Sequence, residues 1–504
     1  MKRAMLITLC LLFFLGPQLR ADNSPGPKRP NIIFIFSDDH SLQTIGAYKS
    51  RLSAFCREQN ITPNIDQLAS DGGVFVNSFC GNSLCSPSRA TILSGLHSHA
   101  NGVERLDQRI KPGLWTFPKA LKELGYRTAV FGKWHMSTTL PEHEDWNILP
   151  GQGDYLNPIF ISKNGRKKYP GYVTDITTDM AVDWIKTQAT TTPFFLSIHQ
   201  KAPHRNWIPP LRYAKWLDDV TVPEPDTLFD DYKHRASGAK LQTMSIEKDL
   251  TMDSDLKVGH SYVSNPLFEA RNIDYEAKKP IGKDLIRWKY QQYVKDYLRC
   301  VKAVDDGVGR VMDTLKATGL DENTIVIYAS DQGFYMGEHG WFDKRWIYEQ
   351  SLHMPFIIRW PGVVKPGQRF TPFIQNIDYA ATFVDIAGGR APVELHGPSI
   401  VPILRGKTPK DWRKSVYYHY YDKDGAHNVE NHYGVRTERY TLAYYYGTSE
   451  WELFDNKKDP NQMKSVISDA RYAQTIVDLK LELQRLRELY KDNANDATVE
   501  KGGG

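Results

Sequence analysis

Apolar residues recur along this chain in short unbroken runs set between longer amphipathic stretches. Asn31-Ile-Ile-Phe-Ile-Phe36 is the first such run, and residues 128–131, 193–199, 324–329 and 355–360 repeat it. Runs without polar alternation suit strands covered on both faces, as in a parallel sheet. Between them, residues 88–93, 116–124, 178–186 and 290–318 carry helical spacing. This alternation predicts an α/β fold, a doubly wound sheet held between helices. Residues 218–284 break the pattern: they are polar, weakly periodic and rich in charge, and read as an insertion over the surface. A second shift falls near residue 404. Beyond it Tyr417, Tyr418, Tyr420, Tyr421 and Tyr433 crowd together, strand-like runs occupy 441–446 and 450–454, and helical spacing returns over 470–489. A smaller antiparallel sheet with a terminal helix is expected there. The division that follows is a main domain over 28–404, a C-terminal α+β subdomain over 405–492 and a disordered tail over 493–504.

The two ends and the composition narrow the class. Lys2 and Arg3 precede an almost wholly apolar stretch from residue 5 to 15, and Leu19-Arg20-Ala21 offers a cleavage site. Residues 1–21 therefore read as a signal peptide that exports the chain to a periplasm or to the exterior. The stretch falls short of the ~20 residues that cross a bilayer, and no other is long enough, so no membrane span is expected. A net charge of +5 without a long basic run gives no indication of a nucleic-acid partner. Cys56, Cys80, Cys85 and Cys300 remain after cleavage. They are too few for a disulfide framework, although one bridge stays open.

The polar motifs stand where an α/β sheet uses them, just past the carboxyl ends of strands. Asp38 and Asp39 follow the first run. Lys133 and His135 follow the second, in Gly132-Lys-Trp-His135. His204 follows the third, in Lys201-Ala-Pro-His204, and Asp331 and Gln332 follow the fourth, in Ser330-Asp-Gln-Gly333. Asp38, Asp39, Asp331 and Gln332 together offer three carboxylates and an amide oxygen. Such hard oxygen donors suit calcium or magnesium, not zinc. Packed carboxylates also need a cation, because burying unpaired charge is costly. Cys85 opens Cys85-Ser-Pro-Ser-Arg89, with Pro87 suited to a first helical turn. A thiol there would face free amides and the positive end of the helix dipole.

Taken with Cys85-Ser-Pro-Ser-Arg89, the set resembles the type I sulfatases, and the resemblance runs from Asn31 to about Leu489. It implies an alkaline-phosphatase-like core and an oxidised cysteine, with Cys85 converted to formylglycine by a formylglycine-generating enzyme. It also implies one calcium ion per chain, bound by Asp38, Asp39, Asp331, Gln332 and the modified Cys85. Arg89 would hold the modified residue and offset the carboxylate charge. Lys133 and Lys344 would clamp sulfate oxygens, His135 would contact the formylglycine hydroxyls, and His204 would protonate the leaving oxygen. The modified residue would accept the sulfuryl group as a covalent intermediate, then expel sulfate.

Several stretches narrow the resemblance to carbohydrate sulfatases acting on N-acetylglucosamine-6-sulfate units of glycosaminoglycans or mucins. They are Lys201-Ala-Pro-His-Arg-Asn-Trp207, Gly337-Glu-His-Gly-Trp-Phe-Asp-Lys-Arg345, His432-Tyr-Gly-Val-Arg-Thr-Glu-Arg-Tyr440 and Trp451-Glu-Leu-Phe-Asp455. Arg205, Trp207, Arg345 and His432 are the candidate sugar contacts, and a sulfated carbohydrate is the expected partner. Two other readings stay open at this level: a phosphonate or phosphate diester hydrolase of the same superfamily, and a silent sugar-binding protein with an unmodified Cys85.

Overall fold

The computed structural model describes residues 29–137, 140–189 and 191–492. The expected signal peptide and C-terminal tail lie outside these residues. A sheet of ten strands forms the centre, in the order Gln368–Phe370, Gly73–Phe75, Phe356–Arg359, Thr324–Ser330, Asn31–Ser37, Phe194–Gln200, Arg127–Lys133, Asp145–Leu149, Ile159–Ser162 and Gly165–Lys168. The five strands from Thr324–Ser330 to Asp145–Leu149 are mutually parallel. Each apolar run expected to be a strand is one. Phe356–Arg359 runs antiparallel to both neighbours, which makes the sheet mixed. An unbroken apolar run reports burial on two faces, not strand direction.

The first strand shows how the sheet is covered. Ile32, Phe34 and Phe36 enter one core with the helices Cys85–Ser94 and Tyr379–Ile386, while Ile33 and Ile35 enter the other with Val173–Lys186 and Gly282–Ala317. Burying side chains of this size contributes roughly 1.5–3 kcal/mol each. A stretch with no polar position can therefore settle only between two helical layers.

Residues 218–284 depart from expectation. They hold short helices, Gly238–Leu241 and Glu269–Lys278, and they bury Val222, Leu228, Met244, Ile246, Leu250 and Leu256 in the cores. The segment is anchored in the body of the protein, and its weak periodicity reflects turns rather than surface exposure. Beyond it, Ser415–Tyr420, His432–Thr437, Tyr440–Tyr445 and Glu450–Asp455 form an antiparallel sheet in that order. The helix Ala473–Tyr490 packs on it through Leu479, Leu483 and Leu486. Cys56, Cys80, Cys85 and Cys300 are all buried free thiols. Among the described residues no helix is long and apolar enough to cross a membrane.

Strand register sets up the site. Ser37 lies opposite Gln200 on one side and Ser330 on the other, and Gly132 lies opposite His199. Asp38, Lys201 and Asp331 therefore leave the sheet side by side, with Lys133 at the end of the next strand.

Candidate active site

Cys85 is the first residue of the helix Cys85–Ser94, preceded by an extended Leu84 that supplies no side-chain cap. All ten residues of this helix are buried. Pro87 occupies its first turn without loss, since the amides there have no partner within the helix. The sulfur lies 3.9 Å from Lys133 Nζ and 3.6 Å from Lys344 Nζ. Burial pushes the thiol up to about 12, with Asp38 adding to the rise against both lysines. An unmodified Cys85 is thus a neutral thiol at physiological pH and a poor nucleophile.

Three carboxylates meet beside it. Asp38, Asp39 and Asp331 are fully buried, each offering an oxygen within 4.8 Å of the others, and Asp38, Cys85 and His204 form a second such group. Each carboxylate has its own cation. Lys133 Nζ donates to Asp38, Lys344 Nζ donates to both oxygens of Asp39 at 2.6 Å, and Arg89 donates to Asp331 Oδ2 at 3.1 and 3.2 Å. Burial would raise Asp38, but Lys133 and Arg89 hold it well below the carboxylate range. Burial lifts Asp39 to about 6 against the pull of Lys344. Burial and then the Asp38 charge push Asp331 well above its ordinary value.

Two buried acceptors in this cluster, Asp38 Oδ1 and Gln332 Oε1, make no hydrogen bond. Orphaned oxygens among three packed carboxylates fit a hard divalent cation, and Asp38, Asp39, Asp331 and Gln332 are the residues that could hold it. Gln332 also donates through Nε2 to Asp39 Oδ1.

His204 approaches from the next strand, its Nε2 3.8 Å from Asp39 Oδ2 and its Nδ1 against the Arg205 carbonyl. That contact leaves Nε2 as the free nitrogen. Burial and Lys133 depress the imidazole well below its ordinary value, so it is neutral in the free site. His135 has a positive φ of 52° and an Nδ1 without a partner. Its carbonyl accepts from Ser86 Oγ at 2.8 Å, which ties it to the residue after Cys85. The guanidinium of Arg89 is committed to Asp331, to the Lys133 carbonyl and to the face of Phe36 at 4.9 Å.

The structure divides the expected sugar contacts. Arg205 pairs with Asp255 at 2.6 and 2.7 Å and contacts His427 at 3.2 Å, while Arg345 contacts Asp343 at 3.0 Å and Tyr420 at 3.2 Å. His427 also lies 3.4 Å from Asp343, the residue before Lys344. Trp207 and His432 are both 0 % exposed and are held by neighbouring rings. Trp207 packs on Tyr293 at 4.6 Å, and His432 lies among Trp346, Tyr418 and Tyr445 while accepting from Ile347 N. The C-terminal histidine that reaches Arg205 and Asp343 is His427.

Sequence reasoning also missed Gln152, Tyr155 and Lys201. Lys133 Nζ donates to Gln152 Oε1, and Tyr155 OH donates to the His204 carbonyl at 2.6 Å. Gln152 belongs to a polar turn just past the strand Asp145–Leu149. The carboxyl-edge rule that found Asp38 and Asp331 would have found it once that half-exposed strand was recognised.

Comparison with known proteins identifies the family. The family described as Sulfatase matches residues 30–389, and the one described as N-sulphoglucosamine sulphohydrolase, C-terminal, matches residues 337–489. An N-acetylglucosamine-6-O-sulfatase from Bacteroides thetaiotaomicron is 41% identical over 93% of this chain and 88% of its own length. The human N-acetylglucosamine-6-sulfatase is 27% identical over 78% of this chain and 68% of its own. A solved structure described as being in complex with its substrate D-glucosamine-2-N,6-O-disulfate superposes with a TM-score of 0.89 at 41% identity, covering 93% of this chain and 99% of that one. An α/β core whose sheet edge gathers a cysteine, carboxylates and lysines thus defines a hydrolase of sulfuric esters. The chain belongs to the sulfatase family.

Proposed function

We propose that this sulfatase hydrolyses the 6-sulfate ester of N-acetylglucosamine-type units in glycosaminoglycan or mucin glycans. In this reading it acts outside the cytoplasm, depends on calcium, and carries Cys85 as formylglycine installed by a formylglycine-generating enzyme. The observation that carries the reading is Cys85 at a helix start, 3.6 and 3.9 Å from two lysine ammoniums and grouped with Asp38 and His204. Support for the sugar comes from the 41% identical relative and from the substrate described for the superposed structure.

The sulfur of Cys85 stands where the oxygen of the oxidised side chain would be. When bound, calcium would supply positive charge facing the sulfate, and the hydrated aldehyde would supply a hydroxyl nucleophile. Lys133 and Lys344 hold sulfate oxygens and oppose the charge that gathers there in the transition state. Asp331, fixed by Arg89, takes the proton of the attacking hydroxyl. His204 receives a proton once the anionic sulfate is beside it and gives it from Nε2 to the departing sugar oxygen, a role typically contributing ~100 to 10,000-fold. His135 holds the proton that must leave the second hydroxyl when sulfate departs.

The test is release of inorganic sulfate from defined sulfated saccharides by the exported protein, with the mass of the peptide carrying residue 85 determined first. Turnover of the 6-sulfated sugars by protein bearing the aldehyde is expected. Full turnover by protein whose residue 85 is an intact thiol would overturn the mechanism.

A further inference from the structure

Lys201 is the first residue past the strand Phe194–Gln200, level with Asp38 and Asp331 at the sheet edge. It is 4 % exposed. Among the described residues it is the only buried lysine without a hydrogen-bond acceptor or a carboxylate at ion-pair distance. Lys257, Lys289 and Lys295 donate to carbonyls, and Lys133 and Lys344 donate to carboxylates. The contact Lys201 does make is with the ring face of Tyr155 at 4.8 Å, and the hydroxyl of that same tyrosine holds the His204 carbonyl.

A cation–π contact returns only part of what desolvating an ammonium costs. The fold therefore keeps a buried ammonium with no ion-paired carboxylate, on the same turn as His204; burial and Lys133 disfavour its charge, and Asp38, Asp154 and Asp39 act on it only from beyond ion-pair distance. Uncompensated charge of this kind is retained where a ligand supplies the missing partner. The other cations of the site are already engaged: Arg205 by Asp255, Arg345 by Asp343, Lys133 by Asp38 and Lys344 by Asp39.

We propose that Lys201 is a further substrate-binding residue that takes an anionic sulfate oxygen; this rests on the sulfatase reading above. The oxygen belongs either to the sulfate being cleaved or to a second sulfate on the same sugar, and the chemistry of recognition is shared.

Lys201→Met tests it, because methionine keeps an apolar stem against Tyr155 and removes the charge. Four quantities are measured on aldehyde-bearing protein: KM for N-acetylglucosamine-6-sulfate, KM for glucosamine-2-N,6-O-disulfate, the inhibition constant of inorganic sulfate, and Tm with and without sulfate. Binding should weaken about ten- to hundredfold, the range of one charge-assisted hydrogen bond. The Tm without anion should hold or rise, because a buried unpaired charge has gone. Weakening of both sugars and of inorganic sulfate assigns Lys201 to the cleaved group. Weakening of the disulfate alone assigns it to a second sulfate. Unchanged constants, or a fallen Tm with unchanged constants, overturn the proposal. Lys201→Gln provides the same readings should the methionine variant fail to fold. The sulfate-induced Tm shift needs no turnover, so it reads Lys201 even if wild-type protein proves inactive on both sugars.

Discussion

Arg89→Met should unfold the site's charge balance more than its packing. The guanidinium is buried, donates twice to Asp331 at 3.1 and 3.2 Å, and lies 3.4 Å from Asp38 Oδ1. Removing one partner of a buried pair leaves the other uncompensated and costs about 3–5 kcal/mol. Met fills much of the arginine stem, so the cavity left behind is small. The loss should appear in full in chelator and shrink when calcium is added, because a cation bound among the same carboxylates offsets Asp331 in place of Arg89. The double variant Arg89→Met, Asp331→Asn should recover part of the loss, since a neutral amide needs no counter-charge. Chemical denaturation followed by tryptophan fluorescence, with chelator or with calcium, reads all three. A loss below about 1 kcal/mol, or one of equal size in both conditions, would refute the idea that Arg89 neutralises the carboxylate cluster.

Cys85→Ala should abolish sulfate release while changing stability by no more than about 1–2 kcal/mol, read by turnover and denaturation together. His204→Ala should slow sugar sulfates at least about 100-fold more than activated aryl sulfates, whose leaving groups need no proton; equal losses would remove it as the acid. Tyr418→Phe should lower kcat several-fold with little change in KM, because its hydroxyl accepts from Ser83 N at 3.3 Å and donates to the Arg345 carbonyl at 2.6 Å, bracing the approaches to both Cys85 and Lys344. Burial lowers Lys257 to about 8 in the folded protein, so between about pH 8 and 10.5 the unfolded chain binds more protons and stability rises with pH. Lys257→Met should lose that rise, a difference of roughly 3 kcal/mol across the window when the two denaturation profiles are compared.

What the sequence made legible was whatever local pattern determines. Residues 31–36 cannot be a strand with a wet face, and Asp38 must then fall at the carboxyl edge. Strand order depends on pairings hundreds of residues apart, such as Ile33 with Val326 and Ile357 with Val74, which no local pattern carries. The same limit applies in the cleft. Trp207 and His432 stand in motifs of the right kind, and an aromatic or a histidine beside a catalytic residue reads as a sugar contact. Whether it faces the cleft or the core is decided by long-range partners, Tyr293 for Trp207 and the Tyr418–Tyr445 cluster for His432. Lys201 was overlooked for the opposite reason. It was legible as part of the motif, but its lack of an acceptor exists only in three dimensions.

The arrangement of charge explains why these residues stay together before any ligand arrives. Asp38, Asp39 and Asp331 are matched one to one by Lys133, Lys344 and Arg89. The protein alone can therefore bury this cluster with each carboxylate facing a cation, although burial and mutual repulsion push Asp39 and Asp331 towards protonation. Lys201 is the exception, and it tips the site positive. A divalent cation among the carboxylates would tip it further, and a sulfate ester brings negative charge to the same place. Each favours the other's binding through their mutual attraction in a water-poor site. In that reading the site gains its affinity for an anion from charges that folding has already brought together, and the contacts that link Arg205, His427, Asp343 and Arg345 are where the proposed sugar selectivity would be set.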